Sequence, residues 1–515
     1  MLRQVLLLLA VLLFTGIAHA ERINQEGRIL GPLPVVTAPI LFNTTNADAI
    51  TSAMQIFPAT NPWNEDISRL PVLTNSDAMI AQIISDLATN RRTLIAEMEM
   101  NFVLVPDNQP RQAIDFFNYP DESDLDGGVS PDGLYPIPVN LPIETWPTGT
   151  SLSLLQWQTN INNGDRHSIM VEPGAGYFWE TWLTRLVGTN WQASNGAKFN
   201  LNTNGLRPAG WTSGDAAGLP MFSALVRYDE AERGMVEHAC RIVVKRSLYE
   251  NYIYPATHFA SASTNTSVNL PSMGQRVRLK SNFYIPVNWT REEKAILLGL
   301  KKYGALVADN GNFFSISVTP DDRWPANCFN DLTSVSITNF EIVQSTGPNE
   351  GPRSPGAPTA NAGADQSIVI GAAAPLNGAV AFTGAMPVVQ WKQYSGPGLV
   401  TFADVLTNTA ATFSEPGVYT LELSAADGVH AVAYDAMVVT VVQAITLAIS
   451  HTATNVNLSW TGGTAPYVLQ QQINSLAGNE WNDVLTTSVQ QVTLPISSTN
   501  SFFRVVCNTE VRRGF

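Results

Sequence analysis

Apolar residues recur at helical spacing in two stretches of the first two-thirds of the chain. In residues 76–88, Met79, Ile80, Ile83, Ile84 and Leu87 share one face behind a Ser-Asp start, which predicts a helix. Thr290 with Glu293 three residues on is a capping-box pattern; it predicts a second helix through Ile296, Leu297 and Leu300 to Gly304. Most of the remainder reads as short strands between polar turns: residues 168–171, 177–183, 224–228, 239–245, 276–280 and 305–308. Such a pattern predicts an all-β chain that opens with a large antiparallel sandwich or jelly-roll-like domain carrying peripheral helices. Residues 345–358, rich in Pro and Gly, read as a linker that ends this domain. Residues 21–345 should therefore fold, and keep any activity, without the rest of the chain.

Two small immunoglobulin-like β-sandwiches are expected beyond the linker. Residues 359–443 carry Ala362-Gly363-Ala364-Asp365-Gln366, Trp391 in a strand pattern, Pro416-Gly417-Val418-Tyr419 and Ala426-Asp427-Gly428. These closely resemble the polycystic-kidney-disease-type (PKD) module, an immunoglobulin-like spacer common in secreted bacterial enzymes. Trp391 is the expected inter-sheet core residue. Residues 444–515 resemble a degenerate fibronectin type III-like module. Trp460 and Trp481 there are expected in its core, with a sugar-stacking platform as the alternative.

Residues 1–20 have the charged start, apolar middle and Ala18-His19-Ala20 end of a secretory signal, so export to the cell surface or beyond is expected. No later stretch approaches the roughly 20 apolar residues of a membrane span. A net charge of −14 argues against nucleic acid as a partner, and would repel a strongly anionic polysaccharide. A monomer is expected. Cys240, Cys328 and Cys507 are too few and too scattered for a disulfide scaffold; they read as free thiols, with a Cys240–Cys328 bridge as the alternative.

Chemistry concentrates between Gly164 and His258. Asp215 lies in a Gly/Ala-rich loop, Asp229 and Glu230 are read as ending a strand, and Glu237 precedes His238. Two of these carboxyls in one cleft could split a glycosidic bond, one of them kept protonated by an apolar or like-charged setting. Asp165 and His167 share a strand face. With His238 and His258 they could form either a histidine acid/base site oriented by Asp165 or a three-histidine metal site. Asp165, His167, Asp215, His238 and His258 are expected to meet in one cleft. Trp211 is the best stacking platform, with Trp179 and Arg207 as further substrate contacts. Asp121, Asp124 and Asp126 form an acidic loop that reads as a solvated turn, with calcium binding as the alternative. No G-x-S-x-G elbow, phosphate-cradling loop or dinucleotide fingerprint is present.

Several blocks in residues 56–343 carry a further resemblance. They are Phe57-Pro58-Ala59-Thr60-Asn61-Pro62-Trp63-Asn64, Gly164-Asp165-Arg166-His167, Leu206 to Ser213, Asp215-Ala216-Ala217-Gly218-Leu219-Pro220, Leu225 to Glu230, and Ala308-Asp309-Asn310-Gly311. The domain is similar to a family of secreted bacterial proteins without an assigned activity, so the resemblance implies a domain and not a reaction. Two positions depart from that pattern: Glu172 replaces an aspartate, and Thr257 replaces an arginine, which removes any anion contact an arginine would make there. The leading expectation is a secreted carbohydrate-active enzyme, a glycoside hydrolase or polysaccharide lyase, acting on extracellular polysaccharide. The alternatives are a noncatalytic surface protein that binds glycans or proteins, and a histidine-ligated metal-dependent hydrolase or oxidase.

Overall fold

The computed structural model describes residues 21–161, 164–473, 481–496 and 501–507; the signal-like residues 1–20 lie outside them. The chain is all-β, with 34% of it in strands against 14% in helices. It divides into two compact units, one built from Arg22–Ala357 with Gly428–Ala431, the other from Pro358–Asp427 and Val432–Phe515.

The first unit stacks three sheets. A six-stranded sheet runs in the order Phe340–Ile342, Arg276–Leu279, Ala305–Asn310, Cys240–Val244, Phe314–Val318, Leu94–Met98. A five-stranded sheet has the order Ile40–Leu41, Val103–Leu104, Ser168–Glu172, Tyr177–Trp182, Asn195–Asn200. Ile169, Val171 and Phe178 of this sheet join the core shared with the six-stranded sheet. Met170 and Trp179, on its opposite face, pack instead with Ile114, Phe116 and Trp191 of a four-stranded sheet. Being the middle layer, Ser168–Glu172 is buried at every residue, so its centre, Ile169-Met170-Val171, is apolar without alternation.

Two expectations change. The sheets are mixed and not purely antiparallel: Cys240–Val244 runs parallel to Ala305–Asn310, and Leu94–Met98 parallel to Phe314–Val318. Residues 224–228 are not a strand. A 3-10 turn at Phe222–Ala224 and a single bridge from Val226 to Val318 lead into a helix, Tyr228–Arg233. The helix wins because Asp229 and Glu230 fall in its first turn, Asp229 pairs with Arg233 one turn on, and Gly234 (φ 92°) supplies the left-handed stop.

The predicted helices are present as Ser76–Asp86 and Arg291–Lys302. In the second, Thr290 Oγ1 accepts from Glu293 N at 3.1 Å and Glu293 Oε2 accepts from Thr290 N at 3.0 Å. Residues 345–357 are anchored, contrary to their reading as a free linker. Arg353, 4% exposed, pairs with buried Glu65 at 3.0 Å and donates to the Thr60 carbonyl at 3.0 Å. Thr346 Oγ1 donates to the same carboxylate at 2.7 Å.

The second unit contains two sandwiches. In the first, the four strands Gln366–Val369, Ala433–Val442, Gly417–Ala426 and Val388–Ser395 face Ala374–Asn377, Asn408–Phe413 and Val400–Phe402. Trp391 lies in the core with Phe413, Tyr419 and Leu421, and the Tyr419 hydroxyl donates to the Glu415 carbonyl at 2.7 Å, pinning a corner. The second pairs Thr446–His451, Asn455–Thr461 and Gln491–Pro495 over Asn482–Thr487, Tyr467–Ile473 and Ser501–Cys507. Trp460 is in its core; Trp481 is half-buried, with the Arg504 guanidinium 4.5 Å from its ring centre.

Candidate functional site

Arg241 is a charged residue in an otherwise apolar, wholly buried strand, Cys240–Val244, where it must be fully paired. Asp215 clamps it: Nε donates to Oδ2 and Nη2 to Oδ1, both at 2.8 Å. Nη1 donates to Ser317 Oγ at 2.9 Å and lies 3.5 Å from Glu99 Oε1, while Nη2 lies 3.5 Å from Asp309 Oδ2. Five guanidinium N–H groups thus face five oxygens. The Glu99 and Asp309 side chains keep 25% and 33% of their surface exposed, whereas Asp215 keeps 1%. Burial, together with the Glu144 charge, outweighs Arg241 and raises Glu99 to about 7. Burial and the Asp215 charge raise Asp309 to about 6.

His167 adjoins this cluster. Its Nδ1 lies 3.0 Å from Glu144 Oε2 and its Nε2 2.8 Å from the Gly214 carbonyl, so both ring nitrogens face acceptors. Burial alone would lower its pKa, but the Glu144 charge and hydrogen bond overcome that and raise it to about 9. His167 is therefore an imidazolium at neutral pH, which excludes it as a general base, and its orienter is Glu144. Asp165, expected in that role, is exposed and lends its carbonyl to Leu183 N. Glu180, fully buried, accepts from Met221 N and Phe222 N at 2.7 Å each, and burial lifts it to about 8.

Asp229, Glu230 and His238 belong to a different network. Glu230 pairs with Arg227 at 2.6 Å and with His238 Nε2 at 3.1 Å, while Asp229 pairs with Arg233 at 2.6 Å. Glu237 closes this group on Arg28 at 2.9 Å. Burial alone would raise Glu230, but Arg227 and His238 outweigh it and hold the carboxyl at about 2. Glu230 cannot be the protonated acid expected of it. The single-cleft expectation thus fails for His238, whose ring nitrogens face Glu230 and the Ala239 carbonyl. The network borders a shallow cleft that includes Arg28, Arg227, Arg233 and His238.

His258 does reach the Asp215 loop. Its Nδ1–H donates to the Ala216 carbonyl at 2.7 Å, which leaves Nε2 without a protein partner among these contacts. Backbone bonds from His258 N to Ala217 O and from Ala217 N to Ala308 O bring it toward Asp309. The three histidines do not meet, and among the described residues no group of three or more His, Cys, Asp and Glu is placed to hold a metal ion.

The remaining candidates sort by burial. Trp179 has no exposed surface, so it is a core residue and not a platform. Arg207 is buried and pairs with Asp124, donates to the Thr212 and Glu122 carbonyls, and lies under the half-buried Trp211 at 5.4 Å; it shapes the Trp211 loop instead of meeting substrate. The acidic loop does not gather around a cation position: Asp124 is taken by Arg207 and Lys198 N, Asp126 by Lys198 Nζ and Trp179 Nε1, and Asp121 is exposed. All three cysteines are free, Cys240 and Cys328 buried and Cys507 half-buried.

Sequence reasoning missed Glu99, Glu144 and Arg241. The signal for Arg241 was a lone charge inside Cys-Arg-Ile-Val-Val, since a strand so apolar is buried and its arginine must have acid partners. Asp309 stands in one of the blocks of the resemblance, with nothing local to mark it as a site residue. Three of those blocks, containing His167, Asp215 and Asp309, converge around Arg241.

The chain is thus a β-rich multidomain protein with immunoglobulin-like sandwiches and a buried charge cluster open at two carboxyls. No family model matches it, and no curated protein does. Among solved structures it is similar to titin domains A168–A170 (14% identity, 32% of this chain and 73% of that one, TM-score 0.18). It is also similar to DIP-gamma IG1+IG2 (12%, 29% and 95%, TM-score 0.15) and to Sidekick-1 immunoglobulin domains 1–4 (10%, 30% and 48%, TM-score 0.14). At these scores the likeness carries no argument about function.

Proposed function

We propose that the protein is a carbohydrate-active enzyme of the cell exterior that cleaves glycosidic bonds with Glu99 and Asp309. One observation carries the reading: two part-exposed carboxyls, both raised toward neutrality, stand on the two terminal nitrogens of one immobilised guanidinium. Two contacts of 3.5 Å across a guanidinium cap their separation at about 9 Å, within the upper limit of roughly 9.5 Å for glycosidase pairs. Glu99 has the higher pKa and is the general acid that protonates the leaving oxygen. Asp309 ionises first and either attacks or activates water. Asp215 and Arg241 position the pair and do not touch substrate. His258 Nε2 and the Trp211 ring supply candidate sugar contacts nearby. In this reading the first C-terminal sandwich is a PKD-type spacer and the second, fibronectin type III-like, an anchoring module.

A noncatalytic glycan- or protein-binding role is the second reading. It is favoured by a polar cleft lined by Arg28, Arg227, Arg233 and His238, away from the carboxyl pair. Incubating the full chain with neutral and acidic polysaccharides separates the two: new reducing ends, or unsaturated products absorbing in the ultraviolet, support the enzyme. Binding without any product supports the second reading.

A further inference from the structure

We propose that the carboxyl pair Glu99 and Asp309 takes a glycan uncharged at the cleaved residue and turns away uronic and sulfated chains; this rests on the glycosidic reading above. Two cations, Arg241 and His167, face four carboxyls, those of Glu99, Glu144, Asp215 and Asp309. Neither cation has a donor to spare. The five N–H groups of Arg241 face Asp215, Ser317, Glu99 and Asp309, and both ring nitrogens of His167 face Glu144 and the Gly214 carbonyl.

A substrate carboxylate or sulfate entering between Glu99 and Asp309 would therefore meet the Asp309 charge with neither cation of the cluster free to balance it, a juxtaposition that disfavours binding. An ammonium group would bind, but a cation beside Glu99 favours its ionised form and would discharge the general acid. A neutral sugar does neither. Its hydroxyls can donate to Asp309 and accept from protonated Glu99, so the pair keeps the unequal protonation that acid catalysis needs.

The test is calorimetric titration of the full chain with oligosaccharides of equal length: cello-, xylo- and N-acetylchito-oligosaccharides as neutral ligands, chitosan oligomers as cationic ones, galacturonate oligomers as anionic ones. Cleavage of each is read separately. The expected result is that at least one neutral series binds, with galacturonate at least about tenfold weaker. Asp309→Asn and, independently, Glu99→Gln should narrow that gap by about tenfold, which locates the discrimination at the carboxyl pair and not on another module. Chitosan oligomers should bind and be cleaved poorly. Galacturonate binding as tight as the neutral series, no neutral binding at all, or a gap unmoved in both variants would overturn the inference. Neutral binding with the expected variant response but no cleavage would leave the inference standing and sink the catalytic reading.

Discussion

Replacing Arg353 by methionine should unfold the first unit at a lower temperature, although the residue lies in a stretch that reads as linker. The Glu65 side chain is 2% exposed and holds Arg353 at 3.0 Å, with Thr346 Oγ1 at 2.7 Å; Arg276 stands farther off at 3.7 Å. Arg353→Met keeps the apolar stem but leaves this carboxylate buried with a distant partner. Removing one member of a buried pair costs about 3–5 kcal/mol, against a total stability of roughly 5–15 kcal/mol. For a unit of about 340 residues, with an unfolding entropy of about 0.7 kcal/mol/K, the midpoint should fall by roughly 4–7 °C. Differential scanning calorimetry of the full chain would show it as a shift of one transition, with that of the second unit unmoved. Glu65→Gln combined with Arg353→Met should recover part of the loss, since the uncompensated charge is then gone. By the same reasoning, a chain ending at residue 345 should be markedly less stable than one ending at 357. An Arg353→Met midpoint within about 2 °C of wild type, the range of ordinary surface changes, would refute the anchoring of this segment.

Other outcomes are set by the charge networks. Asp215→Ala should lower stability by about 3–5 kcal/mol in urea titration, because it removes the bidentate partner of Arg241 in a buried strand; an unchanged midpoint would contradict the clamp. Turnover should be bell-shaped, rising as Asp309 ionises near pH 6 and falling as Glu99 ionises near pH 7; a profile still rising at pH 9 would contradict these roles. Stability should fall below pH 4.5 and decline again as pH rises through neutrality toward 9. Glu230, lowered from 4.5 to about 2, adds stability above its unfolded pKa, and about 3 kcal/mol of it is lost as pH falls from 4.5 toward 2. His167, raised from 6.5 to about 9, adds stability that is full below pH 6.5, and about 3 kcal/mol is lost as pH rises through 9. Glu180, raised from 4.5 to about 8, keeps its proton in the folded state after the unfolded chain has lost it, so its contribution falls between pH 4.5 and pH 8 and is level above that. Urea midpoints that stay level from pH 6 to pH 10 would contradict this assignment.

Periodicity reveals the elements whose signal is local. The capping box at Thr290 and Glu293 and the buried run at Ser168–Glu172 are both legible. Residues 224–228 mislead because Leu-Val-Arg-Tyr fits a strand, while the helix beginning at Tyr228 is decided by charges one turn apart and by Gly234. The acids of the site are visible as a local cluster, yet their partners come from elsewhere in the chain: Arg241 for Asp215, Glu144 for His167, Arg227 for Glu230. Which acid is raised and which is lowered depends on those partners, so Glu230 looks like an acid catalyst until Arg227 and His238 are placed beside it. The Pro/Gly-rich residues 345–357 mislead for a related reason. Composition shows that they form no regular structure, but not that Arg353 reaches a buried carboxylate 288 positions away.

The central claim is that Glu99 and Asp309 carry out the chemistry, and the most direct measurement is product formation by Glu99→Gln and Asp309→Asn on a polysaccharide that the wild-type chain cleaves. Both changes keep the shape of the side chain, and general acid–base catalysis typically contributes about 10²–10⁴ in rate, so each variant should lose about 10²-fold or more in kcat with an unchanged melting transition. Asp229→Asn, in the separate network, should keep wild-type kcat. Wild-type turnover in both Glu99→Gln and Asp309→Asn would contradict the account.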